Sequence, residues 1–188
     1  SSVRSIAKDK NGNLWIGTKG GLNQYLAGQN KFQRIAYQTS FTYDVTQYSY
    51  DICCLKNGQI LINTPPVISI YDPQKENFTH FQNKLEYDGS VKDVKIPVLE
   101  GADGQIWVGS TKGMASFSLQ TREFSYFSFR NNRGDVINDV NVTAIFKDKK
   151  GKLWAGTTSG LYCYNPTSHQ FEVSRFTAYS KTNVFRNG

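Results

Sequence analysis

Phe146-Lys147-Asp148-Lys149-Lys150-Gly151-Lys152-Leu153-Trp154-Ala155-Gly156-Thr157 decides the fold, because the chain states the same phrase again elsewhere. Asp9-Lys10-Asn11-Gly12-Asn13-Leu14-Trp15-Ile16-Gly17-Thr18 is an earlier copy, and Ala102-Asp103-Gly104-Gln105-Ile106-Trp107-Val108-Gly109-Ser110 is a third. A worn fourth copy, Asn57-Gly58-Gln59-Ile60-Leu61-Ile62-Asn63-Thr64, has Leu61 at the tryptophan position. The anchoring glycines Gly12, Gly58, Gly104 and Gly151 stand 46, 46 and 47 residues apart. A period of that size marks an array of equivalent supersecondary units.

Within each unit the pattern is β. Val3 to Lys8 alternates and runs into Asp9-Lys10-Asn11-Gly12, which has hairpin-turn chemistry. Asp and Asn bond their own backbone there, and Gly accepts a positive φ. Leu14-Trp15-Ile16 is a short continuous apolar run, as in a strand covered on both faces. Gly17 to Gly21 breaks it, and Leu22 to Tyr25 and Phe32 to Tyr37 supply two more strands.

The register then holds along the chain. Ile6, Ile52, Val98 and Ile145 stand six residues before the four glycines. Leu22, Ile68, Met114 and Leu161 follow them by ten residues, Tyr25, Tyr71, Phe117 and Tyr164 by thirteen, and Phe32, Phe78, Phe124 and Phe171 by twenty. Columns of this kind are packing layers between neighbouring units. The segments are too short and too rich in β-branched and aromatic residues for helices.

Four strands per unit at this period predict an all-β propeller of four consecutive four-stranded antiparallel blades, the shorter repeats of a β-solenoid fitting less well. The blades fall at about 1–37, 48–82, 94–129 and 140–176, and residues 177–188, with Asn183-Val184-Phe185, read as the start of a further blade. Trp15, Trp107 and Trp154 are expected buried between blades in equivalent positions, with Gly12, Gly104 and Gly151 as the turn residues. Unit two departs most, since Asn63 replaces a glycine and Pro65-Pro66 replaces the polar turn.

Composition narrows the function. The 188 residues carry 38% hydrophobic and 20% charged residues, which suits a packed fold and argues against disorder. No apolar run approaches the roughly 18 residues of a membrane span, and Ser1 opens directly on repeat sequence with no signal peptide in view. The formal charge is +7, but the lysines and arginines are scattered. The densest group, Lys147, Lys149, Lys150 and Lys152, straddles a hairpin turn and reads as a solvated tip, so no nucleic-acid partner is expected. Cys53, Cys54 and Cys163 have neither disulfide pairing nor metal spacing, and the two adjacent ones should point to opposite faces of a strand. No cofactor or metal is implied.

No catalytic constellation stands out. His80 and His169 occupy unrelated positions, and no nucleophile elbow, zinc helix or phosphate loop occurs. A glycosidase-type propeller needs two carboxylates flanking a bond. The connections offer Glu86, Asp88, Asp93, Asp135 and Asp139, residues that loops normally carry as solvated acids.

Val142 to Pro166 and Val3 to Tyr25 resemble the two-component regulator propeller repeat, through Asp-x-x-Gly-x-Leu-Trp-x-Gly-Thr-x-x-Gly-Leu. The resemblance covers the whole chain, strong in units one and four, fair in three and weak in two. It implies a periplasmic sensor domain, usually of seven-bladed propellers, that detects glycan fragments. Such a domain relays binding through the membrane to a histidine kinase and response regulator controlling polysaccharide-utilisation genes. On that reading this chain is part of a larger propeller, is not itself an enzyme, and meets the membrane only through the parent protein.

The expected partner is an oligosaccharide. Sugars are held by aromatic stacking and hydrogen bonds, and the first connection holds Tyr37, Phe41, Tyr43, Tyr48 and Tyr50, of which Tyr43, Tyr48 and Tyr50 are the candidate ligand-binding residues. Arg130 and Arg133 in the third connection suit an acidic sugar, since a guanidinium binds carboxylate or sulfate bidentately. A protein-interaction scaffold is the alternative. An open arc of four blades also leaves two apolar faces bare, so head-to-tail self-association, most simply a dimer, is expected of these residues alone.

Overall fold

The computed structural model describes residues 2–36, 51–85, 96–101 and 104–174. Blade 1 is the meander β1 (Val3–Lys8), β2 (Leu14–Thr18), β3 (Gly21–Leu26) and β4 (Lys31–Arg34). Blade 2 is β5 (Asp51–Cys54), β6 (Ile60–Thr64), β7 (Val67–Asp72) and β8 (Asn77–Gln82). Blade 3 is β9 (Val98–Glu100), β10 (Gln105–Ser110), β11 (Gly113–Ser118) and β12 (Phe124–Phe127). Blade 4 is built from β15 (Val142–Lys147), β16 (Leu153–Thr157), β17 (Gly160–Asn165) and β18 (Gln170–Val173). The fold is an all-β propeller of four antiparallel four-stranded blades, as the repeat requires.

The third connection is more than a loop. Within it, β13 (Phe129–Arg130) and β14 (Val136–Ile137) form a hairpin, and β13 pairs in parallel with the outer strand of blade 4, widening that sheet to six strands. Phe129 drives this docking: its ring stacks on Phe171 at 5.0 Å and meets Tyr162 edge-on at 5.1 Å. The short runs Phe129–Arg130 and Val136–Ile137 carry too little periodicity to declare strands from sequence.

Strand alternation assigns every second side chain of a blade to the blade before it and the others to the blade after. Trp15 and Leu22 look forward from blade 1 and meet Ile52, Ile60, Ile62 and Tyr71 of blade 2. Leu61 and Ile68 look forward from blade 2 onto Ile106, Val108 and Phe117. Trp107 and Met114 of blade 3 meet Leu153, Ala155 and Phe171. The adjacent cysteines obey the same rule, with Cys54 against the first interface and Cys53 against the second.

The tryptophans are not equally buried. Trp15 is 1% exposed and Trp107 6%, but Trp154 is only half-buried, a correction to the sequence expectation. The reason is position: Trp154 looks forward from blade 4, where no described blade follows. The first blade shows the mirror effect, since Ile6 and Phe32 are 66% and 65% exposed while their column mates in blades 2 to 4 are packed.

Close approach between blades fixes one glycine. A Cβ on Gly109 would lie 2.9 Å from Pro97 Cγ and 3.0 Å from Val142 Cγ1, where neighbouring blades converge. Asn63, at the equivalent position of blade 2, instead donates through Nδ2 to Ile96 O at 3.4 Å across the interface.

Candidate functional site

Each blade has two kinds of turn, and they lie at opposite ends of the strands. The Asp-x-x-Gly turns are self-contained. Asp9 Oδ1 accepts from the backbone N–H groups of Asn11 and Asn13, both at 2.9 Å. Its Oδ2 accepts from Asn13 Nδ2 at 2.9 Å and Trp15 Nε1 at 3.0 Å. Asp148 does the same for Lys150, Lys152 and Trp154. Gly12 and Gly151 follow with φ of 88° and 82°, which only glycine adopts freely.

The protonation of these carboxylates follows from that geometry. Partial burial alone would raise the pKa of Asp9, but the donors on Trp15, Asn13 and Asn11 together outweigh it and hold the carboxyl below its ordinary value. The Trp154 bond is the main cause of the lowered pKa of Asp148. Both carboxylate oxygens of each aspartate accept from the turn itself, so these aspartates are folding elements. Burial pushes the Cys54 thiol up to about 12, which leaves it unreactive at neutral pH.

At the other end, the β-turns after β2, β10 and β16 share one device. Thr18, Ser110 and Thr157 each donate through Oγ to a carbonyl three residues on and accept a backbone N–H from two residues on. In blade 2 the residue two beyond Thr64 is Pro66, which has no N–H, and Thr64 Oγ1 is buried without a hydrogen bond.

This second end also receives the connections between blades, and a cavity of about 360 Å³ opens there. It is lined by Lys84 and Leu85 from the second connection, Lys112 and Gly113 from the β10–β11 turn, and Val136 to Val140 from the third connection. Its framework is fixed by hydrogen bonds. Asn83 N donates to Pro66 O at 2.6 Å, Leu85 N to Asn83 Oδ1 at 3.0 Å, and Lys84 N to Tyr126 Oη at 3.0 Å. Lys112 Nζ bridges to Asp139 Oδ1 at 3.0 Å across the mouth. Leu85, Phe127 and Val136 line it together with Lys84, Lys112 and Asp139, a mixture of apolar and charged side chains that suits a hydroxylated or anionic ligand.

A larger cavity of about 1000 Å³ surrounds the turn of blade 4, lined by Gly101, Gln105 and Trp107 on the blade 3 side and by Lys152, Trp154 and Cys163 on the other. It borders the forward face that Trp15 and Trp107 present in the earlier blades, where the next blade packs. We therefore assign it to packing and place the candidate site on the connection face.

The residues named from sequence distribute unevenly. Tyr37, Phe41, Tyr43, Tyr48 and Tyr50, with Glu86, Asp88 and Asp93, lie outside the described residues. Arg130 donates through Nε to Gln170 Oε1 and through Nη1 to Gly134 O, so its guanidinium clamps the β13–β14 hairpin to blade 4. Arg133 sits exposed at the tip of that hairpin, its backbone N–H held by Asn131 Oδ1 at 2.8 Å. Asp135 accepts from Asn131 Nδ2 in the same turn, and Asp139 pairs with Lys112. His80 bonds Ser69 Oγ at 2.9 Å, and His169 bonds Tyr164 Oη at 3.2 Å. Lys84 and Lys112 were missed, because isolated lysines in turns carry no signal until the fold brings the two connections and one turn together.

Comparison with known proteins shows what the chain is similar to. The family model described as two-component regulator propeller matches residues 1–20 and 136–159, within blades 1 and 4 and the connection before blade 4. The match is confined to those two stretches. Similar solved structures include the extracellular domain of the putative hybrid two-component system BT3049 from B. thetaiotaomicron, 23% identical, with a TM-score of 0.66 over 90% of this chain and 23% of that one. The extracellular domain of BT4673 from the same organism is 21% identical, with a TM-score of 0.65 over 92% of this chain and 21% of that one. PorZ of Porphyromonas gingivalis, a surface component of the type-IX secretion system, is 17% identical, with a TM-score of 0.61 over 91% and 27%. At these identities the likeness is one of fold, and the chain spans about a quarter or less of each of those chains. No curated protein sequence matches. Among the described residues no helix is long and apolar enough to cross a membrane.

Proposed function

We propose that this chain is part of the periplasmic sensor propeller of a hybrid two-component system. It detects a glycan fragment without transforming it, and its parent, a histidine kinase, controls polysaccharide-utilisation genes. The observation that carries the reading is the regulator repeat in the first and fourth blades, set on a propeller whose fold matches extracellular domains of such systems.

The connection face supports it physically. Loops on a rigid β scaffold are where recognition concentrates, and the cavity lined by Lys84, Lys112 and Asp139 offers charge-assisted hydrogen bonds beside the apolar Leu85 and Phe127. Arg133, exposed in the hairpin turn of the third connection, and Tyr43, Tyr48 and Tyr50 of the first connection complete the proposed ligand set, which suits an acidic oligosaccharide.

Calorimetry with a panel of neutral, uronic and sulfated oligosaccharides tests the proposal. Saturable binding that weakens in Lys112→Ala and Arg133→Ala supports a sensor of acidic glycans. Hydrolysis of the sugar during the titration would make the chain an enzyme, and no heat across the panel would favour a scaffold.

A further inference from the structure

Lys112 and Asp139 meet across the mouth of the connection-face cavity as unequal partners. Lys112 Nζ lies 3.0 Å from Asp139 Oδ1, with the lysine side chain 31% exposed and the aspartate side chain 73% exposed. The lysine is anchored in the β10–β11 turn, where Ser110 Oγ accepts its backbone N–H at 3.0 Å. Asp139 follows β14 in the third connection, on a backbone with φ of 56°. An exposed pair of this kind is weak and opens often. When it opens, the carboxylate passes into water at little cost, while the lysine remains part of the cavity lining.

The same contact shows what Lys112 can hold. A carboxylate oxygen already sits at hydrogen-bond distance from its ammonium, in the geometry of a charge-assisted bond. An acidic sugar in the cavity would use that place, and two carboxylates do not share it without like-charge repulsion.

We infer that Asp139 is a built-in competitor for the acidic group of the ligand, holding Lys112 until a carboxylate or sulfate displaces it. The inference rests on the reading of this face as a sensor of acidic glycans. Displacement lowers the apparent affinity by the fraction of molecules in which the bridge is closed. The result is a threshold. An anion that offers Lys112 no more than Asp139 does is turned away, whereas one attached to a sugar with further contacts in the cavity is accepted.

Asp139→Asn tests it, since asparagine takes the left-handed backbone as readily as aspartate and removes only the charge. The probes are cellobiouronic acid and cellobiose, which differ only in one carboxylate. Titrations at low salt, followed by amide resonances, give the dissociation constants. Asp139→Asn should bind cellobiouronic acid about threefold to fivefold more tightly than the natural sequence does, with cellobiose unchanged. The gain should disappear when Lys112→Gln is added. Asp135→Asn, which removes a charge from the hairpin turn of the same connection outside the cavity lining, should show no gain. Equal or weaker binding of cellobiouronic acid by Asp139→Asn, or an equal gain in Asp135→Asn, would overturn the inference and leave the sensor reading standing. No binding of cellobiouronic acid by Asp139→Asn, in which Lys112 is released, would overturn the inference and the acidic-glycan reading together.

Discussion

Blade 2 shows how the Asp9–Trp15 bond can be dispensed with, and a double-mutant cycle measures what it contributes. In blade 1 the indole N–H of Trp15 donates to Asp9 Oδ2 at 3.0 Å, while blade 2 has Leu55 and Leu61 at the two positions, both buried and packed together. Asp9→Leu alone leaves an indole N–H without its acceptor inside the first interface. Trp15→Leu alone leaves the carboxylate facing an apolar side chain. Each single change should destabilise, by about 1–3 kcal/mol for the stranded polar group, with a further cavity cost for the lost indole. The carboxylate is largely solvated, so its share is screened toward the lower end. The double change restores an apolar pair of the blade 2 type, and the coupling should be about 1 kcal/mol in its favour. Urea unfolding followed by circular dichroism at neutral pH gives all four corners. Strict additivity, within about 0.3 kcal/mol, would refute the view that the two residues act as one unit.

Three further outcomes follow from the same geometry. Trp15→Ala should cost about 3–5 kcal/mol and Trp154→Ala about half as much, because only the first is enclosed by a following blade; equal urea midpoints would contradict this. Thr64→Val should be neutral or slightly stabilising, since it removes a buried hydroxyl that Pro66 cannot serve, and a loss above about 1 kcal/mol would show a partner there. The carboxyls of Asp9 and Asp148 have folded pKa values below their unfolded ones, so their contribution is present above about pH 4 and is lost as the pH falls through the lowered values. Urea midpoints should therefore drop on acidification, and drop less in Asp9→Asn with Asp148→Asn.

Much of the fold was legible because a repeat carries its own controls. Four glycines at constant spacing, each at a positive φ between 73° and 91°, mark the same turn in every blade. The columns beginning with Ile6 and Phe32 predict which residues pack, but a column says nothing of whether a neighbour is present, so the exposure of Trp154 and Ile6 could not be read from it. The β13–β14 hairpin was hidden for a different reason. It depends on one aromatic, Phe129, finding Phe171 forty-odd residues away, and two-residue strands leave no periodic trace.

The candidate site was the least legible part. Arg130 looked like a ligand residue because arginines suit acidic sugars, yet the fold engages it with Gln170 and Gly134. Lys84 lies in the second connection and Lys112 in the β10–β11 turn, and the two line one cavity only through the folding of those segments.

A nuclear magnetic resonance titration of the labelled chain with the oligosaccharide that binds in calorimetry tests the central claim most directly. The account predicts shifts concentrated on the connection face, at the amides of Lys84, Leu85, Lys112 and Asp139, with Asn11 and Lys150 in the opposite turns unmoved. Shifts gathered at the Asp-x-x-Gly turns, or no shifts among the four connection-face amides, would contradict it.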